Sequence, residues 1–454
     1  MKSIIFTLCF IALTITQKAQ AQVWQLQDPK FPYKTTPYDV FCPNSTDAWT
    51  IGWELDSAAV LLTEVNYTLS RTTDGGQSWE NITFPHGEPG YFSSLSALNG
   101  DTAWIAYVDY ATGNQLIKTI DGGQNWTLQP VVVNSWINTG HFFNDVIGVT
   151  LGDPDSLGFE IYTTNDGGDT WERVDNNTIP APMTDEVGFS GFYEVVGTEI
   201  WFETSIGRVF HSPDYGHTWS VFDGPLPMAQ SLVAVDNEKT VYMAYTAANA
   251  DGSSPVTSLH RTSDNGISWE DITPLDNGWW IVDIEPVPGT NTIIASLNAG
   301  FTTGLFETRI SYDRGSTWHT IDNTSLILYL DFADAQSGFA GKWRFAGDLS
   351  SSLVYNYTGS PLTSLLRNTT LLNLDVNISP NPTTDNVTIA LTSEVDEDYW
   401  ILLNDINGKL IEKKSYTNVS EFSHTMDVRA LPAGSYSLTI ANKHGLRTEK
   451  LMKL

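Results

Sequence analysis

Cysteine is nearly absent from this chain of 454 residues, which contains only Cys9 and Cys42. Cys9 lies in an apolar run from Ile4 to Ile15, which follows Lys2 and precedes Ala19-Gln20-Ala21. A basic start, a short apolar run and small residues are typical of a cleaved signal peptide, predicted here for residues 1–21. Its removal leaves Cys42 alone, so the mature chain cannot form an intramolecular disulfide. Burial of apolar side chains must therefore hold the exported protein together.

Basic residues and long apolar runs are also scarce. The chain has 23 Lys and Arg against 53 Asp and Glu, a formal net charge of −30. The negative electrostatic potential around such an acidic chain repels nucleic acid, so we expect no nucleic-acid partner. No segment reaches the roughly 20 continuous apolar residues that a membrane helix needs. We therefore expect an exported protein without a transmembrane segment.

Sequence motifs for cofactors, metals and nucleophilic catalysis are missing as well. There is no phosphate-cradling GxxxxGK[ST], no GxSxG elbow and no His/Cys cluster with zinc spacing. His86 and His141 stand alone in the sequence, and lone histidines are more often structural than catalytic. We expect neither a cofactor nor a metal site.

A repeated octapeptide is the strongest positive signal. Its six copies are TTDGGQSW (72–79), TIDGGQNW (119–126), TNDGGDTW (164–171), SPDYGHTW (212–219), TSDNGISW (262–269) and SYDRGSTW (311–318). They follow the pattern [ST]-x-D-x-G-x-[STN]-W, and their aspartates recur every 45 to 50 residues. This spacing is typical of the blades of a β-propeller.

The residue types of the octapeptide suit the turn of a β-hairpin, because strand-like runs flank each copy. Asp accepts hydrogen bonds from turn amides, Gly supplies a positive φ, and Trp buries a large ring. We interpret the copies as structural, since a catalytic role would require six equivalent active sites. The predicted structural pairs are Asp74 and Trp79, Asp121 and Trp126, Asp166 and Trp171, Asp214 and Trp219, Asp264 and Trp269, and Asp313 and Trp318.

These octapeptides resemble the Asp-box, or BNR, repeats of bacterial sialidases, xyloglucan-degrading hydrolases, sortilin-type receptors and photosystem assembly factors. The resemblance implies a β-propeller in which the boxes lie on the outer strands, remote from any substrate site. It is specific for the fold and says little about chemistry.

Strand counting predicts an all-β protein with seven blades in residues 22–371. Each box belongs to a unit of four strands, while only three strand-like runs follow the sixth box. The run VWQLQ (23–27) matches the strand after the second box, NWTLQ (125–129). We therefore expect the mature N-terminal strand to complete the last blade and close the ring.

Residues 372–454 have a different pattern, with short alternating strands separated by Pro, Asn and Gly turns that predict a small β-sandwich. The segment resembles the C-terminal sorting domain of the type IX secretion system of Bacteroidetes. The resemblance rests on Pro380-Asn381-Pro382, Asp405 with Gly408-Lys409-Leu410, Gly434 with Tyr436, and the ending Lys450 to Leu454. It implies passage through the periplasm, the type IX machinery as a partner, and release or attachment at the outer cell surface.

Candidate functional residues lie where second strands end and first strands begin, because both ends meet on the open face opposite the boxes. Aromatic rings beside carboxylates suit sugar recognition. The candidate ligand-binding residues are Trp53, Tyr91, Tyr110, Trp136, Trp279, Trp280, Trp343 and Arg344, with Tyr38 and Tyr329 beginning two further first strands. The candidate catalytic carboxylates are Glu54, Asp109, Asp153 and Glu203.

The favoured interpretation is a secreted or cell-surface propeller that binds a glycan or protein ligand on its open face. The alternatives are a polysaccharide-active hydrolase or lyase, which needs suitably spaced carboxylates, and an assembly or adhesion scaffold. Classical sialidase activity is disfavoured, because most arginines of the propeller flank boxes and no three of them form an evident carboxylate clamp.

Overall fold

A computed structural model of the protein describes residues 23–32, 35–54, 67–84, 90–226, 231–247, 256–273, 279–299, 305–342, 353–359, 361–362, 370–371, 375–404, 410–442 and 445–454. The predicted signal peptide, residues 1–21, lies outside these ranges. The described residues up to Leu362 form one compact unit, and those from Thr370 form a second. The predicted boundary between residues 371 and 372 remains a prediction.

The first unit is built from seven antiparallel sheets of four strands each, which confirms the predicted seven-bladed β-propeller. Its strands are β1 (Trp24–Gln27), β2 (Thr35–Phe41), β3 (Ala48–Glu54), β4 (Tyr67–Thr72), β5 (Glu80–Ile82), β6 (Gly90–Ala97), β7 (Ala103–Asp109), β8 (Gly113–Thr119), β9 (Thr127–Leu128), β10 (Ile137–Phe142), β11 (Gly148–Asp155), β12 (Gly158–Thr164), β13 (Glu172–Arg173), β14 (Gly188–Val196), β15 (Glu199–Thr204), β16 (Arg208–Ser212), β17 (Ser220–Asp223), β18 (Ser231–Val235), β19 (Val241–Ala247), β20 (Val256–Thr262), β21 (Glu270–Asp271), β22 (Trp280–Pro286), β23 (Ile293–Asn298), β24 (Phe306–Ser311), β25 (His319–Asp322), β26 (Ile327–Phe332), β27 (Gly338–Lys342) and β28 (Val354–Tyr357). A single-turn 3-10 helix spans Asn176–Thr178.

Blades 1 to 6 each take four consecutive strands, from β2–β5 to β22–β25. The seventh blade has the order β26-β27-β28-β1, so its outermost strand comes from the N-terminal end. Trp24 pairs with Tyr357 across this junction, and its fully buried ring packs edge-on against Tyr357 and Phe332. The closure predicted from VWQLQ is therefore confirmed.

The second strand of each blade lies in the core, because neighbouring blades cover both of its faces. All seven residues of β7, Ala103–Asp109, are buried, and the sequence AWIAYVD shows the nearly continuous apolar run expected of such a strand. The rings of Trp49, Trp104 and Trp201 on three second strands are at most 1% exposed. Large aromatic residues at these positions fill the wedge between adjacent blades.

The innermost strands carry a recurrent irregularity. In six blades extra residues on the first strand interrupt its pairing with the second strand, for example between Pro37 and Asp39 and between Ile281 and Asp283. Blade 5, with β18 paired to β19, keeps a continuous register. A bulge of this kind re-aims side chains locally. It lies close to the axis in every blade that has it.

The second unit consists of β29 (Thr370–Leu371), β30 (Asp375–Ser379), β31 (Asn386–Asn404), β32 (Leu410–Asp427), β33 (Gly434–Asn442) and β34 (Gly445–Lys453). They form one hydrogen-bonded sheet, in which β31 pairs with β30 in its first half and with β33 in its second. Val387 and Ile389 from the first half share one hydrophobic cluster with Ile401 and Leu438 from the second. The two halves of this sheet therefore pack on each other around a common core.

The Pro-Asn-Pro segment of this unit contacts the C-terminal strand. Asn381 donates a hydrogen bond to the Lys450 carbonyl at 2.7 Å and accepts one from the Met452 amide at 2.9 Å. Gly434 pairs with Lys453, and Tyr436 pairs with Leu451. Three of the sequence motifs that resemble a sorting domain thus converge on β34.

Candidate functional site

Each box closes the hairpin between the third and fourth strands of its blade. In the first box, Asp74 accepts hydrogen bonds from Thr72 Oγ1 at 2.8 Å, the Ser78 amide at 2.9 Å and Ser78 Oγ at 2.6 Å. Gly76, with φ of 81°, donates its amide proton to Thr72 Oγ1 at 2.9 Å. The same four contacts recur in all five other boxes.

These bonds engage both carboxylate oxygens of every box aspartate. Bonds from the Thr170 side chain and amide, and from Thr164, hold the pKa of Asp166 at about 2. Such a carboxylate is a poor proton donor or acceptor at neutral pH. The geometry supports a structural role for the boxes.

The boxes also connect different parts of the ring. Gly75 donates to the Thr46 carbonyl in the hairpin between the first two strands of the same blade, at 2.8 Å. Trp79 donates its indole N–H to Gln27 of blade 7 at 2.8 Å, and Trp318 donates to the Ile272 carbonyl of blade 5 at 3.2 Å. Lys118 reaches the Gly167 carbonyl in the box of the next blade at 3.0 Å.

All six described arginines of the propeller pair with acidic side chains. The pairs are Arg71 with Glu80 and Asp101, Arg173 with Asp155, Arg208 with Glu186, Arg261 with Glu270, Arg309 with Glu307, and Arg314 with Asp236 and Glu238. The described arginines are thus engaged within the protein, and these contacts assign none of them to a ligand carboxylate. Trp343 and Arg344, two predicted ligand-binding residues, lie outside the described ranges.

Four aromatic residues on blades 1 to 3 form a continuous series, which we call the aromatic arc: Trp53, Tyr38, Tyr91 and Trp136. The ring centroids of Trp53 and Tyr38 lie 5.7 Å apart, and those of Tyr91 and Trp136 lie 5.4 Å apart. The hydroxyl groups of Tyr38 and Tyr91 lie 3.3 Å apart and join the two pairs. Trp136 is 36% exposed. The structure therefore brings together three of the predicted ligand-binding residues and adds Tyr38.

A polar network borders the Trp136 end of the arc. The Trp136 indole N–H donates to Ser190 Oγ at 3.0 Å, and Ser190 Oγ donates to Asn138 Oδ1 at 3.3 Å. Asn138 Nδ2 in turn donates to Asp153 Oδ1 at 2.7 Å, and the Gly188 amide donates to the same oxygen at 3.0 Å. Burial raises the pKa of Asp153 above its ordinary value despite these bonds. The predicted carboxylate Asp153 is thus linked to the arc through two side chains.

The remaining predicted aromatic residues that the structure describes are Tyr110, Trp279 and Trp280. Tyr110 is 51% exposed, directly after β7. Trp279 packs in part against the core cluster that contains Ile281 and Ile284, and Trp280 begins β22 opposite Asn298.

Two predicted carboxylates are buried where second strands end. Asp109 is 5% exposed and accepts bonds from the amides of Ala111 and Thr112, both at 2.8 Å. Glu203 is fully buried, and its Oε1 accepts bonds from the Ser231 amide and hydroxyl. Burial raises the pKa of Glu203 to about 8, so it is largely protonated at neutral pH. Glu54 ends β3, and its side chain is outside what the structure describes.

A central channel of about 490 Å³ follows the axis of the ring, with walls from the innermost strand of every blade. Five acidic residues line it, which we call the channel carboxylates: Asp39, Glu194, Asp283, Glu285 and Asp331. None of the lining residues that the structure describes is Lys or Arg. Sequence reasoning missed this site. The available signal was an acidic residue inside an otherwise apolar first strand, as in "YLDFAD".

The channel carboxylates occupy two levels. Asp283 and Glu285 are two residues apart on β22. Their side chains therefore face the same side of the strand and lie about 7 Å apart along it. Asp39 lies at the level of Asp283, because both follow the bulge of their strands directly. Glu194, Glu285 and Asp331 form the second level, nearer the box face. They pair with residues close to the start of their second strands, Trp201, Ile294 and Phe339, whereas Asp39 and Asp283 pair further along, with Ile51 and Ser296.

Enclosure in the channel shifts these carboxyl groups towards the protonated form. Burial raises the pKa of Asp39 and Asp331 to about 7 and that of Asp283 to about 8. It raises the pKa of Glu194 and Glu285 as well, and the charge of Asp331 adds to the effect in both. Amide bonds oppose it only in part, such as the one from Leu330 to Asp283 at 2.7 Å.

His141 also lines the channel, but it is an uncharged group. Its Nδ1 lies 3.3 Å from both Ser96 Oγ and the Tyr193 hydroxyl, and burial lowers its pKa to about 3. Within the described ranges, no group of three or more His, Cys, Asp or Glu residues is arranged to hold a metal ion. The same ranges contain no helix long and apolar enough to cross a membrane.

Comparisons with known proteins agree with the two units. Residues 377–453 match the family model described as the secretion system C-terminal sorting domain. This match shows that the chain carries a type IX sorting domain, which implies export to the cell surface or beyond.

The propeller is similar to proteins of the Ycf48 type. The photosystem II assembly lipoprotein Ycf48 of Synechococcus sp. (strain CC9902) is 22% identical over 258 residues, which are 56% of this chain and 69% of that protein. A solved structure of YCF48 bound to D1 peptide has a TM-score of 0.53 and 17% identity, covering 74% of this chain and 96% of that one. YCF48 from Cyanidioschyzon merolae has a TM-score of 0.51 and 15% identity, covering 74% and 98%. At these identities the structural matches establish the β-propeller fold alone.

Proposed function

We propose that this protein is a ligand-binding propeller of the cell surface or the extracellular space. Its aromatic arc and the bordering Asn138–Asp153 network would bind a polymer, either a glycan or a polypeptide segment, without breaking it. The observation that carries the proposal is the continuity of Trp53, Tyr38, Tyr91 and Trp136 across three blades. Partly exposed rings give a ligand apolar surface, while the neighbouring amide and carboxylate give it direction.

Two further observations support binding over turnover. The amide bonds to Asp109 and the Ser231 bonds to Glu203 restrain both carboxylates at their strand ends. A similar propeller has been solved with a peptide bound, so this fold can accommodate a peptide ligand.

A polysaccharide-active hydrolase or lyase is the second candidate function. One observation favours it: Glu203 has a pKa of about 8 and an Oε2 atom without a hydrogen-bond partner among the described residues, so it has the protonation state of a general acid. A scaffold role remains the third possibility, and it predicts a protein partner without affinity for carbohydrate.

A combined binding and turnover screen tests these functions. The mature protein is applied to glycan and peptide arrays, and product release from polysaccharides is measured in parallel. We expect retention of ligands without product release, and at least tenfold weaker retention by Trp136→Ala. Ile267→Ala is the control, because Ile267 is an exposed apolar side chain in a box turn. Product release that Glu203→Gln abolishes would replace this proposal with the hydrolase or lyase.

A further inference from the structure

The inference in this subsection rests on the proposed function and narrows its ligand. We infer that the ligand is a polypeptide segment with an arginine or lysine, whose charged side chain enters the central channel from the open face while flanking residues lie on the aromatic arc.

The central channel is strongly acidic. Five carboxylates line the walls, and the described lining residues provide no basic side chain to balance them. Asp331 interacts electrostatically with Asp39, Glu194 and Glu285, so ionisation of one carboxyl opposes ionisation of the others. An entering cation relieves this repulsion, and it does so in an enclosed space where charges interact strongly.

The shape of the site selects the kind of cation. The described residues hold no cluster of three ligands close enough for a metal ion, since the carboxylates are spread over two levels. A compact ion therefore does not match the arrangement. An arginine side chain is elongated and presents five N–H donors, so it can reach several separated oxygens at once.

The entrance of the channel adds an aromatic contribution. Tyr38 and Tyr329 line the cavity, and their ring centroids lie 6.2 Å apart. Tyr329 interacts electrostatically with Asp39 and Asp283, which places these two carboxylates nearest to the tyrosines. A guanidinium group can stack on aromatic rings while it donates to carboxylates, which favours arginine at this entrance.

An unsatisfied polar group in the channel wall is an independent indication of a ligand. Ser93 is the bulged residue of β6, lines the cavity, and is only 2% exposed. Its hydroxyl has no hydrogen-bond partner among the residues that the structure describes. Burying a polar group without a hydrogen bond costs free energy, so a hydrogen bond from a ligand to this hydroxyl would be favourable.

The entrance of the channel and the arc share a residue, which makes the ligand a polymer rather than a free cation. Tyr38 lines the channel and also contacts Trp53 and Tyr91 of the arc. A segment lying on Tyr91 and Trp136 therefore has the channel entrance at its side. A polypeptide can place one basic side chain there and keep its neighbours on the rings, whereas a neutral glycan has no cation to offer.

A peptide library with paired members tests the inference. The mature protein is applied to an array of 12-residue peptides, each made with a central arginine and again with citrulline, its uncharged isostere. We expect the arginine forms to be retained at least tenfold more strongly, with a preference that grows from pH 6 to pH 8.5. The preference grows with pH because Asp39 and Asp283 ionise and attract the cation. Ionisation of the other channel carboxylates, Glu194, Glu285 and Asp331, acts in the same direction. The remaining titratable groups of the channel stay neutral over this range, namely Tyr38, Tyr329, Tyr193 and His141.

Substitutions connect the preference to the channel. Asp39→Asn with Asp283→Asn should weaken the preference for arginine over citrulline several-fold, and the change is nearly isosteric with the protonated carboxyls of the folded protein. Asp169→Asn is the control, because it removes an exposed charge within a box. Circular dichroism verifies that each variant is folded. Trp136→Ala should weaken both peptide forms equally, since it alters the arc and leaves the channel intact.

The possible outcomes separate this inference from the proposed function. Equal retention of arginine and citrulline peptides would overturn the inference and leave the binding function standing. Retention of neutral glycans with no peptide bound would also overturn it. Absence of any retention would overturn both. An arginine preference that the double Asn substitution leaves unchanged would place the cation away from Asp39 and Asp283 and contradict the inference.

Discussion

Aspartate serves opposite purposes at the boxes and in the channel. At the boxes each carboxylate accepts several hydrogen bonds from its own turn, as Asp74 does from Thr72 and Ser78, and the bonds favour the ionised form. In the channel, enclosure and neighbouring acids favour the protonated form, as in Asp39 and Asp283. The same side chain thus stabilises the fold at one place and remains available for a ligand at the other.

Tryptophan shows the same division. Trp219 in a box is 7% exposed, donates its N–H to the Gly216 carbonyl at 2.8 Å and packs edge-on against Phe202. Trp136 in the arc is 36% exposed and donates to a side chain on the neighbouring blade. The box ring contributes mainly to packing, whereas the arc ring leaves part of its surface for another molecule.

The largest expected effect comes from removing a box tryptophan. Trp219→Ala should lower the free energy of unfolding by about 3–5 kcal/mol, because it leaves a cavity between blades and an unpaired carbonyl. Trp136→Ala should change it by less than about 1 kcal/mol, since a half-exposed surface ring contributes little packing. Chemical denaturation followed by circular dichroism measures both. Similar losses for the two variants would contradict the division between box and arc.

A smaller effect is expected from a box aspartate. Asp214→Ala removes the acceptor for the Thr218 amide, Thr218 Oγ1 and Ser212 Oγ, and should cost about 2 kcal/mol of unfolding free energy. Asp169→Ala, an exposed acid within a box, should stay within about 0.5 kcal/mol. Equal effects in the two variants would show that net charge, and not the turn bonds, accounts for the loss.

The sequence predicts the boxes and the blade number well because the residues that form each box are close together in the chain. Asp, Gly and Trp lie within eight residues, and the turn they form depends on contacts within that span. The closure by β1 was also predictable, since VWQLQ repeats a strand found elsewhere in the chain. Structure that depends on short-range hydrogen bonds and repeated patterns can be recognised directly in the amino-acid sequence.

The channel was not predictable, because it depends on the closed ring. Asp39, Glu194 and Asp331 are far apart in sequence, and only the arrangement of seven blades brings them together. The bulges that re-aim first-strand side chains have no distinct residue pattern. Similarly, the sequence predicts Asp109 and Glu203 only as candidate carboxylates at strand ends, and their burial to at most 5% exposure depends on the assembled ring.

The pH dependence of stability should show the two carboxylate populations separately. Box carboxylates have lowered pKa values, about 2 for Asp166, so their contribution is present above about pH 4 and is lost as the pH falls towards 2. Channel carboxylates have raised values, about 7 for Asp39 and Asp331, so the folded protein binds more protons than the unfolded chain between about pH 4 and 7. The free energy of unfolding should therefore be greatest near pH 5 and fall on both sides.

Single substitutions should flatten one side of this curve at a time. Asp283→Asn removes a carboxyl whose pKa is about 8, so the gain in unfolding free energy over the unsubstituted protein should be larger by a few kcal/mol at pH 8.5 than at pH 5. Asp214→Ala should reduce the loss of stability between pH 5 and pH 3 and leave the alkaline slope unchanged, because hydrogen bonds lower the pKa of Asp214 in the folded state. Denaturant titrations from pH 3 to pH 9 provide the measurement. An Asp283→Asn variant less stable at pH 8.5 than the unsubstituted protein would mean that this carboxylate is favourably paired when ionised, and the contrast between channel and box would be lost.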